Sequence, residues 1–107
     1  MPKIHIYQTQ EKECLFENWL DSLSDITAKA RILQRIDRIE LGNFGDCETV
    51  GDGVHELRID HGPGYRIYFG NDGKQLVILL CGGTKRGQGK DIERAKAYWQ
   101  DYKARKK

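Results

Sequence analysis

Between a short strand at residues 3 to 8 and a last helix, the hydrophobic period of this chain changes once, near Asn43, and that change restricts its fold more than any other feature. Before it, apolar residues recur every three or four positions, the period of a helix that buries one face. After it they fall on every second position, the period of a strand, and glycines multiply. The first stretch predicts two helices. Thr9 or Gln10 opens one, with Leu15, Phe16, Trp19, Leu20 and Leu23 as its buried stripe. Ser24 or Asp25 caps the second, whose inward face is Ala28, Ile32, Ile36 and Ile39. Gly42 after Leu41 has the chemistry of a helix end, so the two form an antiparallel helical hairpin.

Strand periodicity appears in residues 3 to 8 and then in 54 to 59, 64 to 70 and 75 to 82. The last three read as an antiparallel meander turning at His61-Gly62-Pro63-Gly64 and Asn71-Asp72-Gly73. Residues 76 to 81 are apolar in both phases, as in an interior strand covered on both faces. A polar loop over 82 to 90 leads to a last helix capped by Asp91, with Ile92, Ala95, Trp99 and Tyr102 on one face. The expected architecture is therefore α+β: an N-terminal strand, a helical hairpin, an antiparallel sheet of three to four strands and a C-terminal helix. The helices are expected on one side of the sheet. With 107 residues, 38% of them hydrophobic, and no linker or repeat, residues 1 to 107 are read as a single domain.

A net charge of +2 is too mild to require a nucleic-acid partner, so any such argument depends on where the basic residues sit. Cys14, Cys47 and Cys81 are odd in number and form no Cys-x-x-Cys pair, which points to reduced thiols. His5, His55 and His61 lack metal-ligand spacing, and no serine or cysteine sits in a nucleophile motif. No metal and no cofactor are expected. The N-terminus has no apolar signal region, and the apolar run over 76 to 81 is too short to cross a bilayer, so a cytoplasmic protein without a membrane partner is expected.

The chemistry-bearing residues fall on one phase of two neighbouring strands. Leu57 and Ile59 share one phase and leave Val54, Glu56 and Arg58 on the other; Tyr65, Ile67 and Phe69 leave Arg66 and Tyr68. Antiparallel pairing brings matched side chains within about 5 Å, so Glu56, Arg58, Arg66 and Tyr68 form one cluster. Two readings stand: a surface ion-pair ladder, or a grip for a polyanion. The loop that follows adds Lys85, Arg86 and Lys90 among glycines and has no Gly-Lys-Ser/Thr of a nucleotide-binding loop. Arginines, lysines and a glutamate can hold a phosphodiester while the 2′-hydroxyl of RNA attacks it. Glu56 or His61 could then accept the proton, and Lys85 or Tyr68 could donate one to the leaving oxygen. Arg31, Arg35 and Arg38 lie at helical spacing, either as a solvated stripe or as RNA contacts. Lys103, Arg105, Lys106 and Lys107 form a basic tail that complements a helix C-terminus and can touch phosphate.

The ordered text Ala30-Arg31-Ile32, Arg35-Ile36-Asp37-Arg38, Gly42-Asn43-Phe44-Gly45-Asp46, Gly53-Val54-His55-Glu56-Leu57-Arg58-Ile59, Gly62-Pro63-Gly64-Tyr65-Arg66-Ile67-Tyr68-Phe69 and Leu79-Leu80-Cys81-Gly82-Gly83-Thr84-Lys85 continues with Gln88, Asp91-Ile92 and Ala95. It resembles the RelE/ParE superfamily of type II toxin-antitoxin toxins, in the HigB-like branch of addiction module killer proteins. The resemblance implies a RelE-like fold and a toxin that enters the ribosomal A site, cleaves mRNA as an endoribonuclease without a metal, and so inhibits translation. It also implies a cognate antitoxin, a helix-turn-helix protein from the adjacent gene, through which operator DNA is contacted. The resemblance carries over by position to Arg58, Arg66, Lys85 and Arg86; joined to the strand, loop and helix patterns above, it makes Arg58, Arg66, Lys85, Glu56 and Tyr68 the candidate catalytic residues, and Arg86, Lys90, Arg31 and Arg35 the candidate RNA contacts. RelE has a catalytic tyrosine where this chain has Ile92, so a phenol role falls to Tyr68 or Tyr98; RelE's lysine pair has no match beside Glu56 and Arg58. The alternatives within the superfamily are a ParE-like DNA gyrase inhibitor and a catalytically inert antitoxin-binding module.

Overall fold

The structure is a computed structural model that describes residues 2–106. Met1 and Lys107, the latter part of the expected basic tail, lie outside the described residues. Along the chain run β1 (Lys3–Ile6), α1 (Leu15–Ser22), α2 (Ile26–Glu40), β2 (Cys47–Gly51), β3 (Val54–Ile59), β4 (Tyr65–Asp72) and β5 (Leu76–Thr84). A 3-10 turn at Lys85–Gly87 then leads into α3 (Gln88–Arg105). The α+β class holds, with its N-terminal strand, helical hairpin and C-terminal helix.

α2 follows its sequence closely. The Asp25 side chain accepts the Ala28 amide at 3.1 Å, and that bond, together with His61, holds the carboxyl below its usual range. Ala28, Ile32, Ile36 and Ile39 are all buried. At the other end Gly42, at φ +88°, lets the Asn43 amide reach the Arg38 carbonyl and its own amide reach Ile39, both at 2.8 Å. This is the left-handed glycine stop expected of the helix.

α1 starts later than its periodicity suggests. Thr9 Oγ1 accepts the Glu13 amide at 3.1 Å and Lys12 turns to φ +68°, so residues 9 to 13 close a tight turn instead of a first helical turn. The stripe also divides: Phe16, Trp19, Leu20 and Leu23 join the core under the hairpin, while Leu15 packs on the opposite side of the sheet.

The sheet has five strands in the order β1-β5-β4-β3-β2. β1 lies parallel to β5, and the other neighbours are antiparallel. β2 is a strand not expected from the sequence, pairing Cys47 with Leu57 and shifting register between Thr49 and Gly51. β4 runs through Asp72, so the expected turn at residues 71 to 73 moves to Gly73, at φ +72°.

The expectation that the helices share one side is corrected. α1 and α2 cover Leu57, Ile59, Tyr65, Ile67, Phe69, Val77 and Leu79, whereas α3 packs Ala95 and Trp99 on Val54, Tyr68, Ile78 and Leu80 across the sheet. The reason is that the second face is itself apolar along β5 and needs cover. Gly70 makes the close approach possible, since a Cβ there would lie 2.5 Å from the Trp99 ring. Near the end of β5 a bulge pairs Tyr68 with Cys81 and Phe69 with Leu79, which sets Leu80 and Cys81 in succession on the α3 side. Burial pushes the Cys81 thiol up to about 12. α3 begins at Gln88 with Gly87 as its cap residue, so Asp91 stands in the first turn rather than at the cap.

Candidate functional site

Pairing of β3 with β4 sets Glu56 opposite Tyr68 and Arg58 opposite Arg66. The four side chains share a face, as the alternation of the two strands predicts. They do not share an environment. The α3 end of the cluster is closed: Glu56 and Tyr68 are both fully buried. The end nearer the β3–β4 turn is open, and there Arg58 and Arg66 line a cleft of about 280 Å³ with Asp46, Ile59, Asp60, Gly64 and Lys85.

The two arginines differ in how their charge is used. Arg58 donates to Asp46 at 3.1 Å and to Glu48 at 3.4 Å. Burial works against its charge, but those two carboxylates outweigh it and hold the guanidinium above its ordinary pKa. Arg66 forms no ion pair and no side-chain hydrogen bond among the described residues, and its Nε, like that of Arg58, is buried without a partner among them. Its guanidinium charge is therefore free to meet an anion entering the cleft.

Lys85 reaches the cleft from the 3-10 turn, where its amide donates to the Gly64 carbonyl at 2.8 Å. Its side chain is exposed and forms no ion pair among the described residues. Arg86, in the same turn, and Lys90, in the first turn of α3, are exposed and are not among the residues that line the cleft. Next to Arg66 in the ladder is Gly83, where a Cβ would lie 2.0 Å from the Asp91 carboxylate. That side chain packs directly on the β5 backbone, and burial raises its pKa.

Beside the cleft, Glu56 Oε2 accepts the Tyr68 hydroxyl at 3.2 Å and the Gln88 side-chain amide at 2.6 Å. Burial and the neighbouring Glu56 carboxyl lift the Tyr68 phenol well above its ordinary range. Neither side chain is among those that line the cleft: the candidate acceptor and the candidate phenol stand beside it, the next pair along the same sheet face, buried under the start of α3. His61, the other candidate acceptor, turns away: its Nε2 lies 3.1 Å from Asp25 at the start of α2, and its ring stacks on Tyr65. Tyr98 stacks on Tyr7, with ring centroids 5.3 Å apart.

Arg31 is exposed on α2, away from the residues that line the cleft. Arg35 is half-buried and donates to the backbone carbonyls of Arg58, Phe44 and Asp46, with the last two at 3.2 Å. It straps the loop before β2 to the end of β3, and so fixes the wall that carries Asp46 and Arg58. Sequence reasoning missed three contributors: Asp46 and Glu48, the acids on Arg58, and Asp60 on the cleft wall. It named Asp46 and Gln88 only within the family pattern. A carboxylate in an unrecognised strand or loop gives no periodic signal.

These features make a small α+β domain, compatible with a RelE-like fold, with a cleft that brings Arg58, Arg66 and Lys85 together beside the β3–β4 turn. Among the described residues no group of three or more His, Cys, Asp or Glu side chains is placed to hold a metal ion, and no helix is long and apolar enough to cross a membrane. Residues 18–101 match the family described as "Phage derived protein Gp49-like (DUF891)", and the chain belongs to this family, a RelE/ParE-like addiction module toxin family. An uncharacterized protein of Haemophilus influenzae is 54% identical over 86 residues, which cover 80% of this chain and 87% of that protein.

Proposed function

We propose that this protein is the toxin of a type II toxin-antitoxin system and a ribosome-dependent mRNA endonuclease of the RelE and HigB kind, acting in the cytoplasm. The observation that carries this reading is Arg66: a guanidinium without an acidic partner among the described residues, directly opposite Arg58, on a cleft shared with Lys85. Paired guanidiniums match the oxygens of a phosphodiester, and their charge counts most as negative charge builds on the phosphoryl group in the transition state.

RNA supplies the nucleophile. The 2′-oxygen bonds to the adjacent phosphorus, the bond from phosphorus to the 5′-oxygen breaks, and the products are a 2′,3′-cyclic phosphate and a 5′-hydroxyl. Arg66 and Arg58 hold the phosphoryl oxygens, and Lys85 protonates the departing 5′-oxygen. Asp46 is engaged by Arg58, which leaves Asp60 as the cleft carboxylate available to the 2′-proton. Glu56 and Tyr68 act from beside the cleft without touching substrate. Arg86 and Lys90 meet flanking phosphates. A helix-turn-helix antitoxin from the adjacent gene restrains the toxin and carries it to operator DNA.

Cell-free translation with the purified protein, followed by primer extension on the mRNA, tests the reading. Cleavage appears only in translated transcripts, and Arg66→Ala abolishes it while antitoxin binding persists. Intact mRNA together with inhibited gyrase supercoiling would replace this reading with the ParE-like one, and failure of the free protein to slow growth would leave only an inert binding module.

A further inference from the structure

Glu56 is the one charged residue in the buried core among the described residues, and the cleft chemistry leaves it without a direct task. Its Oε2 accepts two hydrogen bonds, one from Tyr68 on the neighbouring strand and a shorter one, 2.6 Å, from Gln88. Gln88 is the first residue of α3 and follows immediately on the turn that carries Lys85 and Arg86. The start of that turn is held by the Lys85 amide on Gly64, 2.8 Å away in the β3–β4 connection. The turn is thus fastened at both ends to the strand pair that bears Arg58 and Arg66. Gly87 and Gly89 flank Gln88, so the local backbone does little to define the geometry by itself.

We propose that Glu56 is a positioning residue: through Gln88 it sets where Lys85 stands across the cleft from Arg58 and Arg66. This rests on the reading of the cleft as the site of RNA cleavage. A carboxyl group suits the role because its oxygen accepts from Gln88, and an apolar residue at position 56 would offer Gln88 nothing to bind. The same arrangement explains why a carboxylate with no access to substrate lies beside a phosphate-binding cleft.

Single-turnover cleavage of mRNA on programmed ribosomes, at saturating protein, tests the proposal with Gln88→Leu, Lys85→Ala, their double variant and Arg66→Ala. Gln88→Leu is expected to slow the cleavage step by about 10²-fold, the cost of misplacing a reacting group by an ångström, with ribosome affinity unchanged. In the double variant the loss is much less than the product of the single losses, because both substitutions remove one contact. Glu56→Gln, which can still accept from Gln88, recovers most of the rate that Glu56→Leu loses.

A wild-type rate for Gln88→Leu or for Lys85→Ala overturns the proposal, and so do fully additive losses, which would mean that Gln88 acts independently of Lys85. Arg66→Ala separates this from the reading beneath it. If Arg66→Ala cleaves normally, the cleft is not the catalytic site; if it is inactive beside a normal Gln88→Leu, only the tether fails. Gln88 is partly exposed, and Gln88→Met, which keeps the side-chain length, gives the same readout if leucine disturbs the helix. Melting temperature and antitoxin binding establish that each variant is folded before its rate is read.

Discussion

Tyr68→Phe removes a single oxygen from the centre of the sheet and leaves every carbon in place, so it isolates one hydrogen bond. That bond runs from the Tyr68 hydroxyl to Glu56 Oε2 at 3.2 Å, with both residues fully buried. Its loss opens no cavity and leaves Glu56 supported by Gln88 alone, because Glu56 Oε1 has no partner among the described residues. Removing one partner of a buried hydrogen bond costs about 1–3 kcal/mol. Domains of this size unfold with an entropy of roughly 0.22 kcal/mol/K, so about 2 kcal/mol corresponds to a fall in melting temperature of about 9 °C. Scanning calorimetry, with urea unfolding at 25 °C as a second measure, reads both quantities. In a Glu56→Leu background the same Tyr68→Phe change should cost almost nothing, since the acceptor is already gone. A drop of less than about 2 °C in the single variant, or an undiminished cost in the Glu56→Leu background, would refute the buried carboxyl as the partner that matters.

Two further outcomes follow from the packing and from the acid-sensitive end of α3. Gly70→Ala places a Cβ 2.5 Å from the Trp99 ring and forces the indole to move, so it should destabilise by about 1–3 kcal/mol in urea unfolding, the usual cost of overpacking; Gly70→Ala paired with Trp99→Leu should regain part of that loss. The Asp72 carboxylate is held below its ordinary pKa by Lys106 and by the Tyr102 hydroxyl. Its stabilisation is therefore present above the unfolded value near about pH 4 and is lost as pH falls through the lower folded value. The melting-temperature gap between wild type and Asp72→Asn should be widest near about pH 6 and close in strong acid, and a gap that stays constant down to about pH 2 would contradict the assignment.

The parts of the fold legible in the sequence are those in which one element carries a complete pattern. α2 has an uninterrupted inward face from Ala28 to Ile39, an acidic cap and a glycine stop, and it folds as its residues indicate. α1 was misjudged at its start because Thr9 closes a local turn that competes with the helix. β2 escaped notice because only Cys47 and Val50 in it are even partly buried, too little for an alternation to show.

The second layer of helix was implicit in β5. A strand apolar in both phases needs cover on both faces, and a one-sided arrangement of helices cannot supply it. At the site, alternation alone aligns Arg58 with Arg66 and Glu56 with Tyr68. What alternation cannot say is where α3 begins. Its start at Gln88 rather than Asp91 lays the first helical turn over Glu56, and that difference divides one cluster into a buried pair and an open cleft.

The parallel pairing of β1 with β5 has a consequence in time. Lys3 is made long before its ladder partner Leu76, and Ile6 waits for Leu79. At translation rates of about 5–20 residues per second, β1 spends roughly 4–15 s with no strand to pair with. Lys85, Gln88 and the helix over Glu56 emerge later still. The cleft is therefore completed by a segment made after both of its arginines, so that a growing chain that has not reached residue 85 carries Arg58 and Arg66 without the lysine that shares their cleft.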